Sequence, residues 1–282
     1  MDSVYDVLIA PFAYDFMQRA LIMSVFIATI CSIFSCFLVL KGWSLMGDAI
    51  SHAVLPGLAV AFITGVPLAV GALAAGMFCA VSTGYLKNNS RVKEDAIMGI
   101  VFSGMFALGL VLLTKIETDV HLLHVLFGNV LGISQADLIE SGVISIVCSI
   151  IMIVKRKDLM LYCFDPNHAR VIGLPVQVLH FGLLILLSLT IVSALKAAGI
   201  ILVVAMLIAP GAIAYLLSKS FDKMIFIALA VSIGACLSGV IISFHFDIAT
   251  APLIVVIQAA MFIIALFTTS LRGTRGERLN VC

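Results

Sequence analysis

Apolar residues run through this chain in long blocks, with the polar positions gathered into short clusters between them. A helix needs about 20 mainly apolar residues to cross a bilayer core. Blocks of that length fall at roughly 17–40, 46–64, 67–86, 96–114, 137–154, 176–195, 198–217, 224–243 and 250–270. The apolar stretch at 121–132 is too short to cross and contains Asn129, so it reads as a re-entrant or surface segment. The pattern predicts an all-α integral membrane protein with about nine transmembrane helices, eight and ten bounding the count. It divides the chain into an outer N-terminal segment at 1–16, a polytopic domain at 17–271 and a tail at 272–282. Linkers are short, and none is large enough to fold as a separate domain. Small residues at helix-contact spacing, such as Gly71 with Ala75 and Gly234 with Ser238, suit close helix approach in lipid.

Composition agrees with this reading. Of 282 residues, 63% are hydrophobic and only 11% charged, against about 25% charged in an ordinary soluble domain. A net charge of +1 offers no basic surface for nucleic acid and no acidic tail. The few cations are sorted by position. Placing the tail, with Arg272, Arg275 and Arg278, in the cytoplasm also puts there Lys41, Lys87, Arg91, Lys93, Lys155, Arg156, Lys157, Arg170, Lys219 and Lys223. Only Arg19, Lys115 and Lys196 are then left outside. By the positive-inside rule the N-terminus is outside and the C-terminus cytoplasmic. The seven cysteines include no CxxC pair, and most lie in apolar runs; neither a disulfide framework nor a cysteine metal site is expected. The first sixteen residues carry Asp2, Asp6 and Asp15 and no base, unlike the basic start of a secretory signal.

One stretch breaks the apolar rule: GDAISHAVLPG at 47–57. Asp48 and His52 are four apart, so on a helix they share a face. A carboxylate at mid-bilayer costs roughly 2.5–3.5 kcal/mol on insertion scales. Beyond the boundary residue Asp137, the only other acid placed within a span is Glu140, near a helix end. A carboxylate oxygen and an imidazole nitrogen on one face suit a divalent cation, the other ligands coming from other helices or water. Pro56-Gly57 marks a helix break where carbonyls line a cavity. The residues leave a second reading open, in which Asp48 is a helix-end acid near the headgroups and His52 merely neutralises it.

Two outer clusters, Glu117, Asp119, His121 and His124, and then His245 with Asp247, are candidate mouths for an incoming metal, though as residues alone they read more simply as solvated loops. His168 lies in an inner loop and His180 near the inner end of a span, neither with an evident ligand partner. The longest inner loop contains FDPNHARVIGLP at 164–175. Asp165 is placed to N-cap and Pro166 to start a helix, with Gly173 as its αL stop and Pro175 beyond. Two turns are unstable alone in water and need a docking surface. Phe164, Val171 and Ile172 supply apolar contact and Arg170 a charge. A helix lying in the headgroup layer is the other reading. Without a Gly-Lys dipeptide there is no Walker A loop, so the chain is not itself an ATPase. HExxH and GxSxG are also missing, which disfavours a membrane enzyme using His52 as base.

At these residues the chain resembles the membrane permeases of bacterial ABC importers for chelated divalent metals (manganese, iron or zinc). The likeness rests on GDAISHAVLPG (47–57), KEDAIMGIVFSGMFALG (93–109), FDPNHARVIGLP (164–175) and GIILVVAMLIAPGAIA (199–214). It implies a fold similar to the vitamin B12-importer permease and a dimer of permease subunits, with the bacterial inner (cytoplasmic) membrane as its location. ATP-binding subunits would dock on a coupling helix at about 164–174, with Phe164, Asp165, Ala169, Arg170 and Gly173 in that contact. A solute-binding protein would deliver metal at the outer face. Asp48 and His52 would be transient ligands of the passing ion, most simply Mn²⁺ or Fe²⁺, with no cofactor held permanently. A stand-alone proton-coupled metal transporter, with Asp48 as proton carrier, is the alternative.

Overall fold

The computed structural model describes residues 14–43, 45–114 and 133–279, and every regular element among them is an α-helix. In chain order these are α1 (Asp15–Lys41), α2 (Met46–Ala53), α3 (Leu55–Thr64), α4 (Leu68–Asn89), α5 (Glu94–Leu113), α6 (Gln135–Val154), α7 (Arg156–Phe164), α8 (Pro166–Val171), α9 (Val176–Leu217), α10 (Phe221–Phe246) and α11 (Thr250–Leu279). All nine predicted spans fall on helices. Eight are long and apolar enough to cross a membrane, and α4 carries the shorter apolar run Val70–Leu86 within its 22 residues. These helices are apolar around most of their circumference, as expected where lipid or another helix meets every face.

The first helix is the hub. α1 packs on α6, α9 and α10 and buries Met23, Ile30, Phe34 and Phe37 completely. Its polar residues are satisfied locally or across helices. Ser24 donates to Ala20 O at 2.7 Å, and Ser232 of α10 donates to Ala28 O at 3.1 Å. By contrast, only 17% of the Ala96–Leu113 window of α5 is buried, so this span lies at the margin of the single chain.

One kink and one missing backbone hydrogen bond in α9 have identifiable causes. Gly199 takes φ 72°, ψ 168° and kinks the helix beside the junction of its two span-length halves, Val176–Leu195 and Ala198–Leu217. That backbone region is open essentially to glycine alone. Farther on, Pro210 lies inside the helix and cannot donate to the carbonyl four residues back. Ser35 of α1 steadies this point: its Oγ accepts from Gly211 N–H at 2.8 Å and donates to Ile208 O at 3.1 Å. Gly211 has to be glycine here, since a Cβ would meet Ser35 O and Oγ at 2.5 Å.

Of the two small-residue pairs read from sequence, one is a true helix crossing. A Cβ on Gly71 would run into the Gly57 carbonyl oxygen and come within 2.6 Å of Ala61 Cβ. On Gly57 it would meet the Gly71 oxygen and Ala75 Cβ. Thus α3 and α4 cross through two small-xxx-small faces, Gly57/Ala61 and Gly71/Ala75, the geometry that lets backbones touch in lipid. A Cβ on Gly234 would meet nothing within 4 Å, and Ser238 simply back-bonds to the Gly234 carbonyl at 2.7 Å. The inner loop holds more structure than its sequence suggested: α7 fills Arg156–Phe164 ahead of the short helix. The segment at 121–132 and most of the N-terminal segment at 1–16 lie outside the described residues.

Candidate functional site

The site helix begins at a turn that the sequence encodes locally. α1 ends on Gly42 at φ 75°, with Gly42 N–H bonding Val39 O at 3.2 Å and Trp43 N–H bonding Leu38 O at 2.8 Å. This paired closure is a Schellman stop. Trp43 O then accepts the Met46 amide at 3.0 Å and starts α2. Asp48 sits in the first turn of α2, where the helix dipole favours a carboxylate.

Asp48 and His52 are together on one face. His52 Nε2 lies 3.2 Å from Asp48 Oδ1, and the side chains are 26% and 31% exposed respectively. The remaining ring nitrogen, His52 Nδ1, is buried with no hydrogen-bond partner. Two aromatic rings of α5 flank the imidazole: Phe102 is stacked at 6.0 Å and Phe106 edge-on at 5.1 Å. These positions, with Gly109, recur at 102, 106 and 109 and form one face of α5. Gly109 lets that face come close, because a Cβ there would lie 2.8 Å from Pro56 N. Behind α2, Gly47 meets Leu207 of α9 so tightly that a Cβ would be 2.8 Å from its Cδ1. The pair is therefore held between α9 and α5, with Ser51 satisfied by Gly47 O at 2.7 Å.

The helix break expected at Pro56-Gly57 is smaller than the sequence suggested. α2 and α3 join through Val54, which keeps helical angles (φ −67°, ψ −26°). Pro56 removes the amide that would close on the His52 carbonyl, yet the backbone stays helical through Val54 rather than unwinding. Chemically the site offers one carboxylate and one imidazole. Among the described residues no group of three His, Cys, Asp or Glu side chains is placed to hold a metal ion, and Asp48 and His52 are the two donors brought together at this point.

The second predicted feature, the short helix, forms as its caps require. Asp165 Oδ1 accepts from both Asn167 N–H and His168 N–H at 3.0 Å, and Pro166 is the first helical residue. Gly173 at φ 85° closes it, with Gly173 N–H on Arg170 O at 3.1 Å and Leu174 N–H on Ala169 O at 3.0 Å. Phe164, Val171 and Ile172 are 77%, 83% and 55% exposed, leaving an apolar face uncovered with Arg170 exposed beside it. Ala169 points the other way: it is fully buried and seats α8 on the bundle rather than offering contact outward.

The remaining candidates separate. His245 and Asp247 are exposed at the end of α10. His245 Nδ1 lies 2.9 Å from Ile241 O, and Asp247 (φ 50°, ψ 45°) closes the helix on Ser243 O, so a helix terminus explains them. Glu117, Asp119, His121 and His124 lie outside the described residues. His180 has a partner that the sequence did not suggest: the Tyr162 hydroxyl shares a 2.7 Å hydrogen bond with its Nδ1. Six cysteines (31, 36, 79, 148, 163 and 236) are buried and free; Cys163, outside the apolar runs in sequence, is buried on α7.

A helical bundle with this many spans, a carboxylate–imidazole pair on an inner helix and a capped amphipathic turn together define a multi-pass membrane permease. The chain belongs to the ABC 3 transport family, whose model matches residues 13–269. It is 58% identical to the chelated iron transport system membrane protein YfeD of Yersinia pestis, over 99% of this chain and 94% of that one. To the manganese transport system membrane protein MntB of a Synechocystis species it is 51% identical, over 92% and 85%. Among solved structures it superposes on a chain of PsaBC from Streptococcus pneumoniae, solved in complex with Fab. The TM-score is 0.84 and the identity 36%, over 93% of this chain and 95% of that one.

Proposed function

We propose that this chain is the permease subunit of an ATP-driven importer that carries divalent metal ions into the cell, manganese or iron first and zinc as the further candidate. The single observation that carries the reading is the Asp48–His52 pair, two half-buried donors 3.2 Å apart in a helix that lipid would otherwise keep free of charge. An oxygen-plus-imidazole set suits Mn²⁺ or Fe²⁺ and binds loosely enough to release. The names of the related proteins, for manganese and for chelated iron, support the same cargo. A second permease subunit brings a second Asp48/His52 pair to the pathway. ATP-binding subunits dock on the exposed Phe164, Arg170, Val171 and Ile172 face at the cytoplasmic end, where the excess of Lys and Arg also belongs. A solute-binding protein delivers the ion from outside, the side of the N-terminus. Alternating access then opens the Asp48/His52 site to one face at a time.

The test is uptake of radiolabelled Mn²⁺ by vesicles holding the permease and its ATP-binding subunits. Uptake should require ATP, and Asp48→Asn or His52→Ala should abolish it while the complex still co-purifies. Normal accumulation by either variant refutes the ligand role. Uptake driven by a proton gradient with no ATP-binding subunit present refutes the importer reading.

A further inference from the structure

The short helix and the metal-ligand pair lie on different elements. α8 packs on α7 and α9, whereas α2 packs on α3, α4, α5 and α9. If α8 is where ATP-binding subunits push, the push has to travel through α7 and α9 to reach Asp48. One side-chain cluster spans that gap.

Tyr162 on α7 is only 3% exposed and lies three residues ahead of Asp165, the N-cap of α8. Its hydroxyl shares the 2.7 Å hydrogen bond with His180 Nδ1 near the start of α9. The same imidazole meets the Trp43 indole edge-on, with ring centroids 5.4 Å apart. Trp43 is 5% exposed, and its carbonyl accepts the first amide of α2, Met46 N–H, at 3.0 Å. A second connection runs in parallel. The Lys41 ammonium at the end of α1 sits 4.2 Å from the Tyr162 ring centroid, 5.7 Å from that of Trp43 and 3.4 Å from Tyr162 O. The cluster thus joins the last turn of α7, the first turns of α9 and the residue that starts α2. Buried rings and a short hydrogen bond move together, because close-packed interiors have little room to deform.

We propose that the Tyr162–His180 hydrogen bond, with Trp43 packed against the same imidazole, is the tie by which displacement of α8 repositions Asp48. Tyr162, His180 and Trp43 are then positioning residues of the transport cycle; none touches the ion. The proposal rests on the importer reading for its direction of coupling, and it makes a claim that reading does not: hydrolysis and transport come apart when the tie is cut.

Tyr162→Phe removes one oxygen and keeps the ring, its burial and the Lys41 contact. In vesicles holding the whole complex, Mn²⁺ uptake and ATP hydrolysis are measured together. Uptake per ATP should fall about fivefold, the size of one lost buried hydrogen bond, with the hydrolysis rate unchanged and the melting temperature of the complex lowered by no more than the about 2–4 °C that one such bond is worth. Trp43→Phe, which keeps an aromatic ring, should lower the same ratio less. An unchanged ratio in both variants overturns the tie. So does a parallel fall in uptake, hydrolysis and melting temperature, which marks a cluster that only holds the fold.

A measurement independent of cargo separates this from the importer reading. Spin labels at Leu45→Cys, beside α2, and Asn167→Cys, on α8, are each paired with one at Ile264→Cys on α11. Nucleotide trapping in the complex should shift both distances in the parent. In Tyr162→Phe it should shift only that to α8. The same α2 shift in both proteins, or none in the parent, overturns the tie. Absence of ATP-driven Mn²⁺ uptake in the parent instead refutes the importer reading, whatever the labels show.

Discussion

Replacing Gly57 by alanine adds one methyl group at the tightest helix crossing next to the site. That methyl carbon would overlap the Gly71 carbonyl oxygen, which is backbone and cannot rotate away, and would lie 2.6 Å from Ala75 Cβ. Ordinary contact begins near 3.4 Å, so α3 and α4 must part by about 1 Å. Overpacking of this kind costs about 1–3 kcal/mol. At about 2–4 °C per kcal/mol for a chain of this size, a mid-range cost of about 2 kcal/mol lowers the melting temperature by about 4–8 °C. A thiol-reactive dye is a suitable reporter, because six cysteines are buried and free in the folded chain and become reactive on unfolding. Gly234→Ala is the matched control: its Cβ meets nothing within 4 Å, and alanine is favoured over glycine in a helix by about 0.5–1 kcal/mol. It should leave the melting temperature unchanged or raise it. The Gly57→Ala/Gly71→Ala double variant should cost less than the sum of the two, since the first methyl already opens the space for the second. Because α3 continues directly from the Asp48/His52 helix, Mn²⁺ uptake should fall with Gly57→Ala as well; a displacement of about 1 Å is enough to spoil a positioned site. Equal melting temperatures for Gly57→Ala and the parent, or an equal loss with Gly234→Ala, would refute the crossing as described.

Two further outcomes are expected. Gly173→Ala puts a Cβ on a residue at φ 85°, a cost of about 1–2 kcal/mol falling on a six-residue helix, and should weaken co-purification of the ATP-binding subunits without unfolding the bundle; undiminished co-purification would show that docking does not depend on how α8 ends. Burial pushes the Cys163 thiol up to about 12, the nearby Lys41 ammonium pulling only partly the other way, so almost no thiolate forms below pH 10, and maleimide labelling of the Cys163 peptide in the native complex should stay near zero from pH 7 to 9, rising only on denaturation. Labelling that climbs through pH 8–9, as a free thiol would, contradicts that burial.

What the sequence made legible was local. Asp165, Pro166 and Gly173 bracket α8 within nine positions, and each acts on backbone groups a few residues away, so the pattern alone predicts the helix that forms. Asp48 and His52 are one helical turn apart, and their adjacency follows from that spacing. The span boundaries follow from run length, including the junction at 195–198, which lies beside the Gly199 kink. What stayed hidden was tertiary. Gly71 and Ala75 read as a weak signal until Gly57 and Ala61 are seen across from them, and nothing local distinguishes that pair from Gly234 and Ser238. Ser35 meets Gly211 across 176 positions, a relation that no window can contain. Phe102 and Phe106 look like lipid-facing residues until α5 is laid against α2. Tyr162 escaped notice because α7 is too short and too charged to read as a span, and His180 because its partner lies on that helix.

The single residue that kinks α9 carries a consequence for how this gene can vary. Gly199 occupies φ 72°, ψ 168°, a conformation that side chains with a Cβ essentially do not adopt, while its neighbours Ala198 and Ile200 are ordinary buried residues. Every missense change of a glycine codon yields a residue with a Cβ. The codon for Gly199 is thus fixed by backbone geometry alone, with no ligand or partner needed to explain it, and drift that the flanking apolar positions absorb stops there.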